Sequence, residues 1–422
     1  MCTQGKHSSL LIVNDTVRDF YDRYPYPPPV SNLDRYRRLW DDRNRHRADH
    51  HLFWPEKAYR EDRSILVAGC GTSQAAKHAL RWPCAHVTGI DISSASIRAT
   101  GELKQKYGLK NLDVHQLPLE RAEELGFSFD QVVCTGVLHH LTEPEKGLAA
   151  LRTVLKPDGA MHLMVYAPYG RAGIYMLQEY CSRLGIRASE GEIHDLAATL
   201  ASLAPDHPLA NLLRNAPDFR NEAALADAFL HPQDRAYSVP QLFDFIGKAG
   251  LVFGRWLRQA PYLPLCGAIA QTPHRDRMSR LSAEEQYAAV ELFRGTMVRH
   301  SAIVYRDDSV GKYQPVRFDG KNWPSYVPVR LPDTICVQER LPSGAAAVLI
   351  NRGHTFTDLY LPVNAQEKRL FDAIDGNRTI EDIMNSTSAH DRNREHARTF
   401  FERLWCYDQV VFDASRTPDP AT

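Results

Sequence analysis

Neither sign of charge prevails in this sequence, where 51 Lys and Arg stand against 51 Asp and Glu over 422 residues. With no net field to hold a polyanion, a general DNA or RNA binder is not expected. Long apolar runs are missing as well, and none approaches the roughly 20 residues that a membrane helix needs. The start, MCTQGKHSSLLIVND, offers one basic residue and four consecutive apolar ones, too little for a secretory signal. The eight cysteines, at 2, 70, 84, 134, 181, 266, 336 and 406, form no C-x-x-C pair. Their spacing therefore gives no zinc or redox motif. Several fall inside predicted strands or helices, where a free thiol behaves as a small hydrophobe. Internal repeats and low-complexity tracts are also absent. These features predict a soluble, reduced, cytoplasmic protein, long enough for one large domain and a smaller one.

What the sequence does have is rhythm. Before Ser64 it is irregular, with a Tyr/Pro cluster over residues 21–29 and a mixed-charge stretch, RYRRLWDDRNRHRADHH. Such a charge run predicts a solvated helix face or loop. From Ser64 onward the β-rich runs SILVAG, HVTGID, LDVHQ, DQVVCTG and AMHLMVYA alternate with helical segments. That alternation predicts a doubly wound α/β sheet, with Lys156-Pro157-Asp158-Gly159 as a turn leading into the fifth strand. A helical stretch follows Tyr166, and two more strands, LVFGRWLR and SAIVYR, close the domain. Residues 308–330 read as a linker. Beyond it, a hairpin (TICVQERL, AAAVLINRG), three short helices and a last strand, QVVFDA, read as a small α+β, winged-helix-like module. Thr379 is the expected cap of its second helix, and the tail RTPDPAT is expected to be disordered.

The chemistry concentrates at the strand ends. The first strand runs into Gly69-Cys70-Gly71-Thr72, where glycines permit a sharp turn and close approach of a ligand to the backbone. The second ends at Asp91, twenty residues past Gly71, and a carboxylate there can accept both hydroxyl hydrogens of a ribose. A dinucleotide and S-adenosylmethionine both fit these features. A dinucleotide fingerprint calls for a third glycine where Gln74 stands, which favours the second ligand.

With the HHL segment after the fourth strand and the LKPDG junction, the chain resembles the class I S-adenosylmethionine-dependent methyltransferases over about residues 60–307. The resemblance implies a Rossmann-like, seven-stranded, mostly parallel sheet closed by an antiparallel hairpin. It also implies that Gly69, Cys70 and Gly71 line the methionine part of the cofactor and that Asp91 holds the ribose, flanked by Ile92 and Ser93. Gln116 and Leu117 would border the adenine, and Thr135 would lie beside the cofactor. Thr72, Gly136 and Tyr21 complete the implied cofactor set, and S-adenosylhomocysteine is the implied product. The family often places an acidic residue where this chain has Val67. The implied domains are an N-terminal lid or strap (1–63), the methyltransferase domain (64–307) with a helical insertion at about 171–236, a linker (308–330) and the accessory module (331–415).

A sulfonium already activates its methyl group, so transfer needs alignment above all, and positioning can supply ~7–11 kcal/mol. A base is required only when the acceptor must lose a proton. His139 or His140 can be that base, or the pair can cap the next loop and pack. Tyr21, Tyr24 and Tyr26 can form a lid, or a surface strap. Tyr237, in the polar segment His231–Tyr237, can meet the acceptor, with Tyr24 as a further catalytic candidate. No metal ligands are expected. The C-terminal module weakly resembles PqqD-like peptide-binding modules, which implies docking of a peptide at the hairpin edge; bracing of the lid or homodimer formation are the alternatives. The acceptor is expected to be a small molecule, with a docked peptide or protein side chain as the alternative. A non-catalytic cofactor-binding regulator and an NAD-dependent oxidoreductase are the rival classes.

Overall fold

The computed structural model describes residues 16–215, 221–309, 313–387 and 393–416. The start of the chain and the tail from residue 417 lie outside them, so the signal and disorder expectations are not addressed. Seven strands form the main sheet: β1 (Ser64–Ala68), β2 (His86–Asp91), β3 (Leu112–Gln116), β4 (Phe129–Thr135), β5 (Leu155–Tyr166), β6 (Leu251–Trp256) and β7 (Arg299–Arg306). Their order is β3-β2-β1-β4-β5-β7-β6. Strands β1 to β5 pair in parallel, and β7 runs antiparallel to β5. The central strands are covered on both faces, which is why SILVA and DQVVC read as nearly continuous apolar runs instead of alternating ones. The chain leaves β1 toward β2 on one side and returns to β4 on the other. This reversal opens a crevice at the carboxyl ends of β1, β2 and β4.

The helices that return the chain between parallel strands are Gln74–Arg81, Ser94–Tyr107 and Pro144–Thr153. LERAEELG forms a 3-10 helix, Leu119–Leu125, in place of an α-helix. The expected turn at Lys156–Gly159 is corrected. Phe129 pairs with Leu155 and Gln131 with Ala160, so two steps on β4 answer five on β5. The four intervening residues bulge out of the strand, because Pro157 has no N–H to give the ladder. After β5 the insertion supplies Ala172–Leu184, Glu190–Ala201, Ala210–Asn215 and Glu222–Phe229. Ile174, Leu177, Ile193, Leu196, Leu225 and Phe229 form its apolar core, joined by Phe20 from the helical residues 16–23.

The contacts divide the chain into two compact units, with the first comprising the described residues up to 37 together with 62–252 and 294–306. The second takes 38–61, 253–293 and the described residues from 307 onward. Two expectations about this second unit are corrected. Residues 308–330 are no linker where described, since Val316, Phe318, Trp323 and Tyr326 are buried in the C-terminal core. The charge run is no solvated face either. It contains the helix Arg43–Phe53, which buries His46, Arg47, His50 and His51. Arg47 is tolerated there because it donates to the Gly376 carbonyl and to Asp413, and a buried cation must be paired.

The remaining strands are β8 (Val327–Arg330), β9 (Thr334–Val337), β10 (Ala347–Asn351), β11 (Tyr360–Val363) and β12 (Val410–Asp413). They make a β11-β10-β9 sheet and a β12-β8 pair. Sequence reasoning missed β8 and β11, which carry Pro328 and Pro362; both are edge strands, where proline's missing N–H costs little. Helices Ala365–Asp372, Ile380–Ser386 and Arg394–Cys406 pack on them through Leu370, Ile383, Phe400 and Phe401. Thr379 caps the second of these helices, its side chain accepting the Asp382 N–H in a reciprocal capping box. No helix among the described residues is long and apolar enough to cross a membrane.

Candidate active site

The β1 end turns through Gly69 (φ 67°) and Gly71 (φ 52°), left-handed conformations that L side chains resist. A Cβ on Gly69 would stand 2.2 Å from a Val137 methyl, so the loop also depends on glycine for space. Cys70 is fully buried between the two glycines. Asp91, at the tip of β2, accepts the Gly71 N–H through one carboxylate oxygen (2.8 Å) and the Ser93 N–H through the other (2.9 Å). Loss of hydration pushes its carboxyl above the usual range, against the pull of those two bonds. Each oxygen keeps a second lone pair, the acceptor chemistry that the two hydroxyls of a ribose require. Among the other residues read from the sequence, Gln116 donates to the Ile92 carbonyl (3.1 Å) and the Leu117 N–H to the Asp91 carbonyl (2.9 Å). Thr135 ends β4, followed by Gly136 at φ 78°. These residues share one rim.

The N-terminal strap is fastened to that rim. Asp22 accepts from the Ser93 hydroxyl (2.8 Å), the Ser94 hydroxyl (3.3 Å) and the Ala95 N–H (3.1 Å). It therefore supplements the Ser93 cap at the start of helix Ser94–Tyr107. Thr72 donates its hydroxyl hydrogen to the Pro27 carbonyl (2.8 Å). Next to the Asp22 anchor, Tyr21 donates its hydroxyl to Asp227 (3.0 Å). Desolvation, then the charge of Asp227, hold its phenol well above the ordinary range, and Asp91 adds to the effect. Tyr21 thus senses the β2 carboxylate and the polar cluster described next.

That cluster lies beyond the ends of β4 and β5. His139 and His140 fall in a short 3-10 turn, Leu138–His140, and both are buried. The His139 ring rests on Tyr166 (3.8 Å between centroids), and the His140 ring lies 4.0 Å from His231. Arg171 stacks over Tyr166 (3.5 Å) and pairs with Asp234 (3.2 Å). Burial lowers His140 to about 4 and His231 to about 2, while it raises Asp227 to about 7. The cluster therefore holds neutral imidazoles beside a carboxyl that titrates near neutrality.

Sequence reasoning named the histidine pair but missed Asp227 and Arg171. An acid set within the apolar run AALADAF was the available signal for Asp227; Arg171 had none. Two other candidates are turned elsewhere. Tyr24 gives its hydroxyl to the Ala188 carbonyl (3.1 Å), and Tyr237 stacks on Phe245 (4.9 Å). Both are held by packing, outside the histidine cluster.

Comparison with known proteins agrees with this geometry. The methyltransferase-domain family matches residues 66–161. An uncharacterized protein of Synechococcus sp. is 33% identical over 293 residues, spanning 66% of this chain and 69% of that one. The ubiquinone biosynthesis O-methyltransferase of Pseudomonas paraeruginosa is 29% identical over 158 residues, covering 37% of this chain and 62% of its own length. Among solved structures, PKMT2 from Rickettsia typhi in complex with AdoHcy shares the fold over 92% of this chain and 77% of its own, with a TM-score of 0.62 and 14% identity. The glycine turn, the β2 carboxylate, the strand order and these likenesses lead to one conclusion: the chain belongs to the class I S-adenosylmethionine-dependent methyltransferases and is an enzyme that uses S-adenosylmethionine as its methyl donor.

Proposed function

We propose that the enzyme methylates a small-molecule acceptor held against the His140–His231–Asp227 cluster. The observation that carries this reading is the enclosure of the cluster. His139, His140 and Asp227 are each less than 5% exposed, under the insertion helices and the helical residues 16–23. Such a site suits a compact ligand. The bound donor supplies a methyl group on a sulfonium, and the protein's work is then alignment and exclusion of water. In this reading Asp91 holds the ribose, Gly69 to Thr72 form the turn around the methionine portion, and Ile92, Ser93, Gln116, Leu117, Thr135 and Gly136 border the rest. Tyr21 joins the donor and acceptor sides. In the same reading His140 takes the acceptor's proton.

The C-terminal unit, with its three-stranded sheet and three helices, is assigned an accessory role. The test is transfer from donor carrying a labelled methyl, offered to a metabolite extract and to a protein extract of the source cells. Label in the metabolite fraction, lost in Asp91→Asn, supports the reading. Label in the protein fraction alone would replace it with methylation of a docked side chain.

A further inference from the structure

The backbone of one residue, Gln233, holds the two neighbouring imidazoles in opposite tautomers. His140 Nδ1 lies 2.8 Å from the Gln233 carbonyl oxygen. A carbonyl can only accept, so Nδ1 carries the proton and Nε2 is left with its lone pair. The Gln233 N–H donates to His231 Nδ1 at 3.0 Å, so in neutral His231 the proton is on Nε2. That nitrogen is buried and has no hydrogen-bond partner among the described residues. Gln233 is itself fixed to the His140 turn, for its side chain donates to the Leu141 carbonyl and accepts from Thr142 (3.4 Å). Gln233 therefore sets a lone pair at Nε2 of His140 and a proton at Nε2 of His231, on rings whose centroids lie 4.0 Å apart. One possible ligand atom from each of His140, Asp227 and His231 lies within 4.8 Å of the others, close enough to share an ion. A metal there would need a lone pair at His231 Nε2, which this tautomer does not offer.

We infer that the methyl acceptor is a hydroxyl group, whose hydrogen points at His140 Nε2 and one of whose lone pairs accepts from His231 Nε2–H. This rests on the proposed reading of the cluster as the acceptor site. Lone pairs decide the matter. A hydroxyl oxygen has two, so one accepts from His231 while the other attacks the methyl carbon. A neutral amine has a single pair, and using it for attack leaves the His231 N–H buried and unbonded, a loss of about 1–3 kcal/mol. A carboxylate has no hydrogen for His140, and a thiol sulfur is a weak acceptor. In the step itself the oxygen–methyl bond forms as the sulfur–methyl bond breaks, with its electron pair remaining on sulfur. The hydroxyl proton passes to His140 Nε2, and the Asp227 carboxylate nearby offsets the imidazolium charge. The products are a methyl ether and S-adenosylhomocysteine.

Two measurements on the full-length protein test this. In the first, nitrogen-15 correlation spectra of histidine-labelled protein, assigned by the peaks lost in His140→Gln and His231→Gln, report each tautomer directly. A protonated Nδ1 on His140 with a protonated Nε2 on His231 is the expected result. The same tautomer on both rings, or either ring charged at neutral pH, overturns the inference. In the second, donor with a carbon-13 methyl is offered to the metabolite extract, and the product methyl is identified by its chemical shift. A methyl on oxygen supports the inference, whereas a methyl on nitrogen, carbon or sulfur overturns it. Label confined to protein would instead overturn the small-molecule reading, with the atom it sits on still judging the hydroxyl. Among variants, His231→Gln, which keeps an N–H near the Nε2 position, is expected to hold KM within a few-fold of wild type, while His231→Phe raises it at least tenfold. Equal KM in the two would remove the donor role.

Discussion

At the residue scale, the site rests on a few positions whose neighbours leave little choice. Asp91 balances burial with two backbone N–H bonds, and replacing it by Asn sets an amide N–H against one of those donors. Hydrogen bonds to a charged group are worth ~1.5–3 kcal/mol, so Asp91→Asn should weaken S-adenosylhomocysteine binding by about 10- to 100-fold in calorimetric titration. Gly69→Ala meets both a left-handed backbone, costing ~1–2 kcal/mol, and the Val137 methyl at 2.2 Å, an overpacking of ~1–3 kcal/mol. Its melting temperature should fall accordingly, and an unchanged value would mean that the loop is not built as described. His140→Ala should lower kcat by roughly 10²–10⁴, the usual contribution of a general base, with KM little changed. Asp227 has a pH signature. Its folded pKa, raised to about 7 from 3.8, means that the native state binds more protons between those values, so this group's contribution to stability falls as pH rises from about 4 to 7. His140 and His231, lowered by burial, act in the opposite sense below 6.5. Asp227→Asn removes only the first effect while leaving an acceptor for Tyr21. The melting temperature of the variant relative to wild type should therefore climb across that window, and a flat difference would show that Asp227 is not held near neutrality.

At the scale of elements, the strap and the insertion are what turn a plain sheet edge into an enclosed site. The strap is fastened by Asp22 at the start of helix Ser94–Tyr107, a position where a carboxylate satisfies free N–H groups and complements the helix dipole. Loss of such a cap typically costs ~1 kcal/mol. Asp22→Ala should accordingly speed hydrogen exchange in residues 16–28 by several-fold while leaving the central strands β1 and β4 protected. Equal protection in the variant would assign the strap's hold to Phe20 and its apolar neighbours alone. The helices and inner strands were legible because period and length speak clearly in them. The edge strands β8 and β11 were not, since Pro328 and Pro362 weigh against a strand wherever the pairing is unknown. The Lys156–Gly159 bulge was read as a turn for a related reason: a Pro-Asp-Gly run looks the same whether it precedes a strand or interrupts one.

At the scale of the whole molecule, the chain is a methyltransferase sheet with its insertion and a second unit with its own apolar core. A ligand that binds only the native state stabilises it by mass action, so S-adenosylhomocysteine at a hundred times its Kd should add about 2.7 kcal/mol. Calorimetric melting with NADH as control checks this, and a shift with NADH alone would mean that the glycine turn has been assigned to the wrong ligand. The sequence by itself determined the doubly wound rhythm, the Gly69–Gly71 turn and the Asp91 position, because each follows from local periodicity or from what a single residue type can do. It also brought out His139 and His140 as titratable side chains at a strand end. It did not determine that residues 38–61 and 316–330 belong to the second core, since a run of charges or a Gly/Pro-rich stretch shows its burial only when its partners are known. Nor did it link Asp227, His231 and Gln233 to His140, residues roughly ninety positions away along the chain. Tertiary structure decided that grouping: the backbone of Gln233 sets two tautomers at once, and a hydrogen bond between distant residues leaves no trace in the local pattern of either.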